Sequence, residues 1–173
     1  EMLGRILFGQ NYFRFLFVRD PVDRLLSCFL DRVLTSGSVP NKIVQEALGV
    51  ENPQEIRFAD FVAVIAEQSV RDMNPHWRPI YHEACCDVVR YDRVLKFENF
   101  RAELESVLEQ LYPRIAGSID LGINLSPAKT GASERAAEYV TPELRTRIEE
   151  IYAKVTREIA DRLARLARSL EGQ

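Results

Sequence analysis

A short apolar run that ends in Arg-Asp-Pro constrains the fold of this chain more than any other feature. Residues 13–18 place an aromatic side chain at every second position. A run this short and this rich in aromatic and β-branched residues favours a buried strand over a helix. Asp20 can then cap a helix that begins at Pro21, because proline there lacks only an N–H that would have no partner. The stretch therefore predicts a strand, a tight turn and a helix.

The turn and the helix of this unit carry groups that bind anions. Arg19 lies in the turn, and Arg24 and Ser27 lie one helical turn apart. A phosphate beyond the strand would meet a guanidinium, a hydroxyl and helix N–H groups. The spacing alone equally fits a structural interpretation, in which Arg19 pairs with Asp20 or Asp23. Ser27 is then a small packing residue.

The rest of the chain alternates helical patterns with short strand-like runs. Apolar residues recur at helical spacing in several segments, namely Asn41–Leu48, Phe58–Ser69, Phe100–Leu111 and a last helix from the cap Thr141 to Leu166. Val88-Val89 and residues 93–97 are typical of short strands, and the two prolines of residues 74–79 predict an ordered loop. This alternation predicts an α/β fold that is rich in helix and holds a small parallel sheet.

Length, charge and cysteine content narrow the class of protein. The 173 residues predict one domain, residues 1–173. The net charge of −3 argues against general nucleic-acid binding. No run approaches the roughly 20 apolar residues of a membrane span. The three cysteines form neither a zinc spacing nor a paired framework, which predicts reduced thiols and a cytoplasmic location.

Three segments together resemble one family. Phe17–Ser27 resembles the 3′-phosphate-binding motif of sulfotransferases that use 3′-phosphoadenosine 5′-phosphosulfate (PAPS). It is closest to the chondroitin and dermatan sulfotransferases of sulfotransferase family 2. His76–Pro79 and Tyr91–Glu98 resemble that family's His-Trp-x-Pro and Tyr-Asp-x-(Val/Ile)-x-Lys-(Phe/Tyr)-Glu segments, in the same order. Tyr139–Leu144, leading into Ile151-Tyr152, is similar to its C-terminal helix.

The resemblance implies a function and a fold type. It implies an enzyme that moves a sulfuryl group from PAPS to a hydroxyl, with a carbohydrate as the acceptor and with no metal ion. It implies a P-loop nucleotide-binding type of α/β fold. The expected partners are the nucleotide donor and the carbohydrate acceptor, without nucleic acid. The sequence identifies neither the acceptor nor the oligomeric state.

The resemblance also assigns candidate site residues. Arg19 and Ser27 would hold the 3′-phosphate, and Arg24 matches a further motif arginine. By helix geometry Arg24 could equally face Asp20 or Asp31. His76 would take the proton of the acceptor hydroxyl, since a neutral imidazole accepts protons at physiological pH.

For His76 the alternative is that its loop only packs against the sheet. Lys129 and Arg135, in and after the late loop, could cover the phosphate of the nucleotide.

Two departures from the family pattern lead to further expectations. The family keeps two cysteines between its His-Trp and Tyr-Asp segments, separated by two residues. Here Ala84 and Asp87 occupy those offsets, and Cys85-Cys86 lie between them. This difference favours a bacterial or cytosolic relative over an enzyme of the Golgi lumen. The family's 5′-phosphosulfate loop has no counterpart before Arg19. Either the chain is the C-terminal portion of the full fold, truncated at the N-terminus, or it cannot perform the transfer as it stands.

The competing interpretation is a protein without catalytic activity. A degenerate domain would keep only the nucleotide half-site. A helical interaction module would instead use the last helix, where Leu163, Leu166 and Leu170 alternate with arginines. A lysine-bearing phosphate loop encoded upstream would favour the enzyme. Calorimetry with 3′,5′-adenosine bisphosphate on this chain and on Arg19→Ala tests the nucleotide site.

Overall fold

The computed structural model of the protein describes Gly9, residues 11–121 and residues 131–153. The chain divides into two compact units. The first comprises Glu1–Asp20 and Ala84–Lys129, and the second comprises Pro21–Glu83 and Thr130–Gln173. One sulfotransferase-like domain over residues 1–173 stays a prediction.

Helices dominate the described chain, with two short strands among them. In chain order the elements are β1 (Phe15–Val18), α1 (Pro21–Cys28), α2 (Val39–Leu48), α3 (Phe58–Ala66), α4 (Ile80–Glu83), β2 (Arg93–Lys96), α5 (Phe100–Leu111), α6 (Ala132–Tyr139) and α7 (142–153). A π-helical turn, Phe29–Val33, continues α1. Short 3₁₀ turns occupy Pro53–Glu55, Phe97–Asn99 and Ala116–Ser118. The predicted class, a helix-rich α/β fold with a small parallel sheet, is confirmed.

The first unit is built on the parallel pair of β1 and β2. The register sets Phe15 opposite Arg93 and Val18 opposite Lys96. Parallel neighbours require a long crossover, and here that connection contains four helices. Leu95 of β2 is fully buried, and the ring of Phe17 stacks on that of Phe100 at 4.6 Å between centroids. The predicted strand that leads into Arg19 is thus held by side chains of the 93–111 segment.

The second unit holds a continuous apolar core. Fully buried side chains of this core include Val22, Leu25 and Leu26 of α1, Val44 of α2, Phe61, Val62 and Ile65 of α3, Ile148 of α7, and Trp77 of the loop before α4. Those of α1 and α3 follow the helical spacing expected from the sequence. Phe29 packs at 5.4 Å from Phe58 and at 5.9 Å from Phe61, measured between ring centroids. Burial of apolar surface stabilises a fold by about 25 cal/mol per Å². This cluster therefore makes the largest contribution to the stability of the unit.

The start of the last described helix follows a capping signal of the sequence. The Thr141 hydroxyl accepts the N–H of Leu144 at 3.2 Å, so the predicted cap of the last helix is confirmed. This helix is described as far as residue 153. Its predicted continuation to Leu166 and the arginine-flanked leucines lie outside the described residues. Within the described residues no helix is long and apolar enough to cross a bilayer.

Some boundaries differ from the prediction. Val88-Val89 is not a strand, because the N–H groups of both valines donate to the Cys85 carbonyl at 2.8 Å in a turn. Cys85 has a φ of 49°, a left-handed conformation that ends extended structure. The helix predicted over Phe58–Ser69 ends earlier, at Ala66.

Candidate functional site

Arg19 follows β1 directly, at the carboxyl end of a parallel strand. Its side chain is half-buried, and its guanidinium carbon lies 5.6 Å from the ring centroid of Phe97. A guanidinium on an aromatic face keeps its N–H donors in its own plane. The contact with the ring therefore orients the Arg19 guanidinium. Its N–H donors can still form a bidentate pair of hydrogen bonds with an oxyanion.

The carboxylates of the Tyr-Asp segment hold both ends of β1. Asp92 accepts the N–H of Arg14 through Oδ2 at 2.7 Å, and its own N–H donates to the Arg14 carbonyl at 2.8 Å. Glu98 accepts the N–H of Asp20 through Oε1 at 2.7 Å. The role of this segment in the first unit is thus to fix the strand and the turn that carry Arg19.

Ser27 and Arg24 lie on α1, in the second unit. Ser27 is partly buried. Arg24 donates through Nη1 to the carbonyl of Arg78 at 2.5 Å and through Nη2 to the carbonyl of Pro75 at 2.9 Å. The helix therefore contacts the His-Trp loop through Arg24. Asp31, one of the carboxylates considered as its partner, forms an ion pair with Arg32 at 2.8 Å.

Trp77 anchors the His-Trp loop in the core of the second unit. The indole is fully buried, lies edge-on to Phe61 at 5.4 Å and donates from Nε1 to Oε1 of Gln68 at 2.8 Å. The Trp77 carbonyl accepts the hydroxyl of Tyr152 at 2.6 Å. Burial raises the pKa of that phenol above its usual value. Trp77 is consequently a packing residue of this core.

Arg78 closes the loop on its other side. Its Nε donates to the Val70 carbonyl at 3.0 Å and its Nη2 to the Met73 carbonyl at 2.6 Å. Its Nη1 forms an ion pair with Glu83 at 2.7 Å. The guanidinium therefore ties the end of the loop to the segment that precedes it and to α4.

His76 is exposed on this fixed loop. Its Nδ1 lies 2.8 Å from Oδ1 of Asn74, and its main-chain N–H donates to the same oxygen at 3.0 Å. The prediction of an ordered loop is confirmed. The sequence did not identify Asn74 as a partner, although the Asn-Pro pair that precedes the histidine was the available signal.

Of the two late basic residues, Lys129 and Arg135, the structure describes only Arg135. Arg135 lies on α6, where its Nε is 3.3 Å from Oε2 of Glu138 and its Nη2 donates to the Tyr139 hydroxyl at 2.5 Å. Its guanidinium carbon also lies 5.0 Å from the centroid of the Tyr139 ring. Lys129 lies outside the described residues.

A cavity of about 380 Å³ opens in the second unit. It is lined by Phe29, Leu34, Gln54, Ile56, Arg57, Phe58, Ala59, Glu138 and Tyr139. The predicted site residues that the structure describes are not part of this lining. In the second unit the structure instead brings Arg24 together with the loop of His76. In the first unit it brings Arg19 together with Phe97, and Glu98 accepts the N–H of the adjacent Asp20.

Comparison with known proteins defines the class. The family model described as "Sulfotransferase family" matches residues 2–154, so the chain belongs to the Sulfotransferase family. Over 108 residues it is 32% identical to carbohydrate sulfotransferase 14 of Mus musculus, a match that covers 58% of this chain and 29% of that protein. The human protein of the same name gives the same identity and coverage. No solved structure gives a significant match.

A longer match extends over most of the chain. Carbohydrate sulfotransferase 11 of Mus musculus is 24% identical over 163 residues, which cover 83% of this chain and 45% of that protein. The chain thus spans less than half the length of the curated relatives it matches. The resemblance read from the three sequence segments is confirmed at the level of the family.

The location expected from the cysteines is wrong. The matched relatives are carbohydrate sulfotransferases, a family of Golgi-type enzymes, which conflicts with a cytoplasmic or bacterial assignment. Cys28, Cys85 and Cys86 are free thiols, as the sequence predicted. The error was to infer a compartment from thiol pairing, because an unpaired thiol reports only that no second cysteine lies within bonding reach.

Proposed function

We propose that this protein is a sulfotransferase that moves a sulfuryl group from PAPS to a hydroxyl of a carbohydrate acceptor. The observation that carries the proposal is Arg19 at the carboxyl end of β1, in the Arg-Asp-Pro turn of a chain that belongs to the Sulfotransferase family. Ligands of α/β sheets bind beyond the carboxyl ends of parallel strands. The names of the relatives support a carbohydrate acceptor.

The residues present fit the phosphate of such a donor. The Arg19 guanidinium on Phe97 is pre-oriented, and planar guanidinium groups bind phosphate oxygens in pairs. In the proposal Arg19 and Ser27 hold the 3′-phosphate, with the second assignment resting on the motif. Lys129 and Arg135 would cover the phosphates, and the Arg135 side chain is 42% exposed and thus reachable from solvent.

His76 would serve as the general base. The donor supplies the activated sulfuryl group, and the proposed transfer uses no metal ion. As the acceptor oxygen forms its bond to sulfur, the bond from sulfur to the 5′-phosphate oxygen of the donor breaks and 3′,5′-adenosine bisphosphate leaves. The proton of the acceptor hydroxyl must also leave, and a positioned imidazole can take it. His76 is exposed to an approaching acceptor, and its ring orientation is set by the contact of Nδ1 with Asn74.

Calorimetry with 3′,5′-adenosine bisphosphate, the nucleotide left after transfer, tests the proposed nucleotide site. We expect binding to the wild-type chain and an affinity about ten- to one-hundredfold lower for Arg19→Ala, because a charge-assisted hydrogen bond contributes about 1.5–3 kcal/mol.

Arg101→Ala is the matched control, since Arg101 is an exposed arginine of the same unit, on α5 and outside the motif. Its affinity should equal that of the wild type. Absence of binding to the wild-type chain, or equal affinities for Arg19→Ala and Arg101→Ala, would overturn the assignment of the nucleotide site.

A further inference from the structure

We propose that Asn74 and Arg24 are positioning residues that present the imidazole of His76 with Nδ1 protonated and the Nε2 lone pair directed to the acceptor. This inference rests on the proposed function, in which His76 is the general base. It assigns Arg24 to the His-Trp loop rather than to a phosphate. It also gives Asn74, which no sequence motif singled out, a specific role in the chemistry.

The tautomer of His76 follows from the two contacts that this residue makes with one oxygen, Oδ1 of Asn74. The main-chain N–H of His76 donates to Oδ1 of Asn74 at 3.0 Å, and a main-chain N–H can only donate. The contacting amide atom must therefore be the oxygen, which settles the orientation of the Asn74 side chain. Because an amide oxygen only accepts, the ring nitrogen 2.8 Å from it must carry its proton.

A neutral imidazole protonated at Nδ1 has its lone pair on Nε2. In the imidazole ring Nε2 is the nitrogen farther from the Cβ atom. General-base catalysis needs an unprotonated nitrogen within hydrogen-bond reach of the acceptor hydroxyl. Asn74 thus prevents the alternative tautomer, in which Nε2 would carry a proton and could not accept another one.

The backbone on both sides of His76 is held by donors from two helices. Arg24 of α1 bridges the carbonyls of Pro75 and Arg78, at 2.9 and 2.5 Å. Tyr152 of α7 donates to the carbonyl of Trp77 at 2.6 Å. These three carbonyls flank the histidine in sequence, so the backbone that carries its imidazole is held on both sides.

The geometry of Arg24 requires a guanidinium. Its two terminal nitrogens reach two carbonyls at once, which a rigid planar fork does without losing further side-chain freedom. A lysine ammonium is a compact group on a flexible stem and would hold one carbonyl well. Arg24→Lys keeps the charge but not the bridge, and therefore separates a positioning role from a purely electrostatic one.

Nuclear magnetic resonance of the ring nitrogens tests the role of Asn74 without requiring activity. The chain has two histidines, so a His82→Gln background leaves His76 as the single imidazole signal. In buffer basic enough to keep histidine neutral, we expect His76 to be protonated at Nδ1 in the wild type and in Asn74→Asp. We expect a shift to protonation at Nε2 in Asn74→Ala.

Asn52→Ala is a closely matched control. Asn52 also precedes a proline and accepts, through Oδ1, the N–H of the second residue after it, Gln54, at 3.0 Å. This variant should leave the His76 tautomer unchanged. Protonation at Nε2 in the wild type, or an unchanged tautomer in Asn74→Ala, would overturn the inference.

Arg24 is tested by binding and turnover together. We expect Arg24→Lys and Arg24→Met to bind 3′,5′-adenosine bisphosphate with an affinity within about twofold of the wild type. We expect kcat for sulfuryl transfer to fall about ten- to one-hundredfold, part of the 10²–10⁴ that a general base contributes. Emission of the buried Trp77 reports whether each variant is folded.

The outcomes separate the two proposals. A nucleotide affinity that falls in the Arg24 variants as far as in Arg19→Ala would identify Arg24 as a phosphate ligand and refute its positioning role. A wild-type chain that transfers no sulfuryl group would refute the proposed function. The tautomer measurement would still decide whether Asn74 sets the protonation of His76.

Discussion

Replacing Tyr152 with phenylalanine should loosen the His-Trp loop by a measurable amount. The change removes one hydroxyl, which donates to the carbonyl of Trp77 at 2.6 Å, and keeps the ring. Trp77 itself is fully buried, so the carbonyl loses a partner in a site of low water access. Leaving a buried acceptor unpaired costs about 1–3 kcal/mol. For a chain of this length each kcal/mol corresponds to about 2–4 °C in Tm.

The single tryptophan makes the assay direct. Trp77 is the one tryptophan of the chain, so its fluorescence during urea unfolding reports the loop that Tyr152 holds. We expect a lower urea midpoint for Tyr152→Phe and a shifted native emission. Tyr112→Phe is the matched control, because the Tyr112 side chain is exposed and the stability of this variant should equal that of the wild type.

Tyr152→Phe should also change how the stability of the protein depends on alkaline pH. Burial raises the pKa of Tyr152, so the folded state keeps the phenol protonated where the unfolded chain, with a pKa of about 10, ionises. This contribution to stability is present below about pH 10 and is lost as the pH rises further. Tyr152→Phe should therefore lose less stability than the wild type above that pH. Equal urea midpoints and parallel alkaline curves for the two proteins would refute this reasoning.

Further predictions concern the thiols, a buried amide and the turn of Arg19. Burial raises the pKa of the Cys28 thiol to about 12. Cys28 should therefore be the last of the three cysteines to react with a thiol reagent in the native protein. Simultaneous reaction of all three would contradict this. Asn41→Leu should lower the unfolding free energy by about 1–3 kcal/mol in urea titrations, since the fully buried Asn41 amide donates to the Val33 carbonyl at 2.7 Å. Glu98→Ala should weaken binding of 3′,5′-adenosine bisphosphate more than Glu98→Gln in calorimetry, because only glutamine keeps an oxygen for the Asp20 N–H; equal affinities would contradict this.

Local chemistry made parts of the fold predictable. The strand before Arg19 and the helix from Pro21 follow from neighbouring residues, and both lie where the sequence placed them. The cap at Thr141 is likewise a contact between residues three positions apart. Signals of this kind depend on side chains within one or two turns of each other, which a single sequence displays directly.

Other elements depend on distant packing and were missed. The π-helical turn after α1 requires an i→i+5 bond, seen from the Leu34 N–H to the Phe29 carbonyl at 3.0 Å, in a segment packed into the core. Helix α6 has a short and largely polar sequence, and its periodicity did not identify it. Val88-Val89 has strand-like composition, yet its N–H groups are used within a turn.

The site shows the same division. The motif identified Arg19 because family resemblance needs no structure. The partners of Arg24 could not be predicted from the sequence, because they are main-chain carbonyls 51 and 54 residues away. Every residue has such a carbonyl, so the residue type does not show which one accepts a hydrogen bond. Nearby carboxylates were the visible candidates. His76 and Asn74 are only two residues apart, and the Asn-Pro pair before the histidine is a turn signal that the sequence displays.

Transfer of radiolabelled sulfur from PAPS to a carbohydrate acceptor would show whether the protein is a sulfotransferase with His76 as its general base. The protein would be mixed with the labelled donor and a panel of chondroitin and dermatan chains, beside His76→Ala and the control His82→Gln. We expect labelled glycan with the wild type and with His82→Gln, and a rate about 10²–10⁴-fold lower with His76→Ala. Absence of labelled glycan with the wild type, or equal rates for His76→Ala and the wild type, would contradict it.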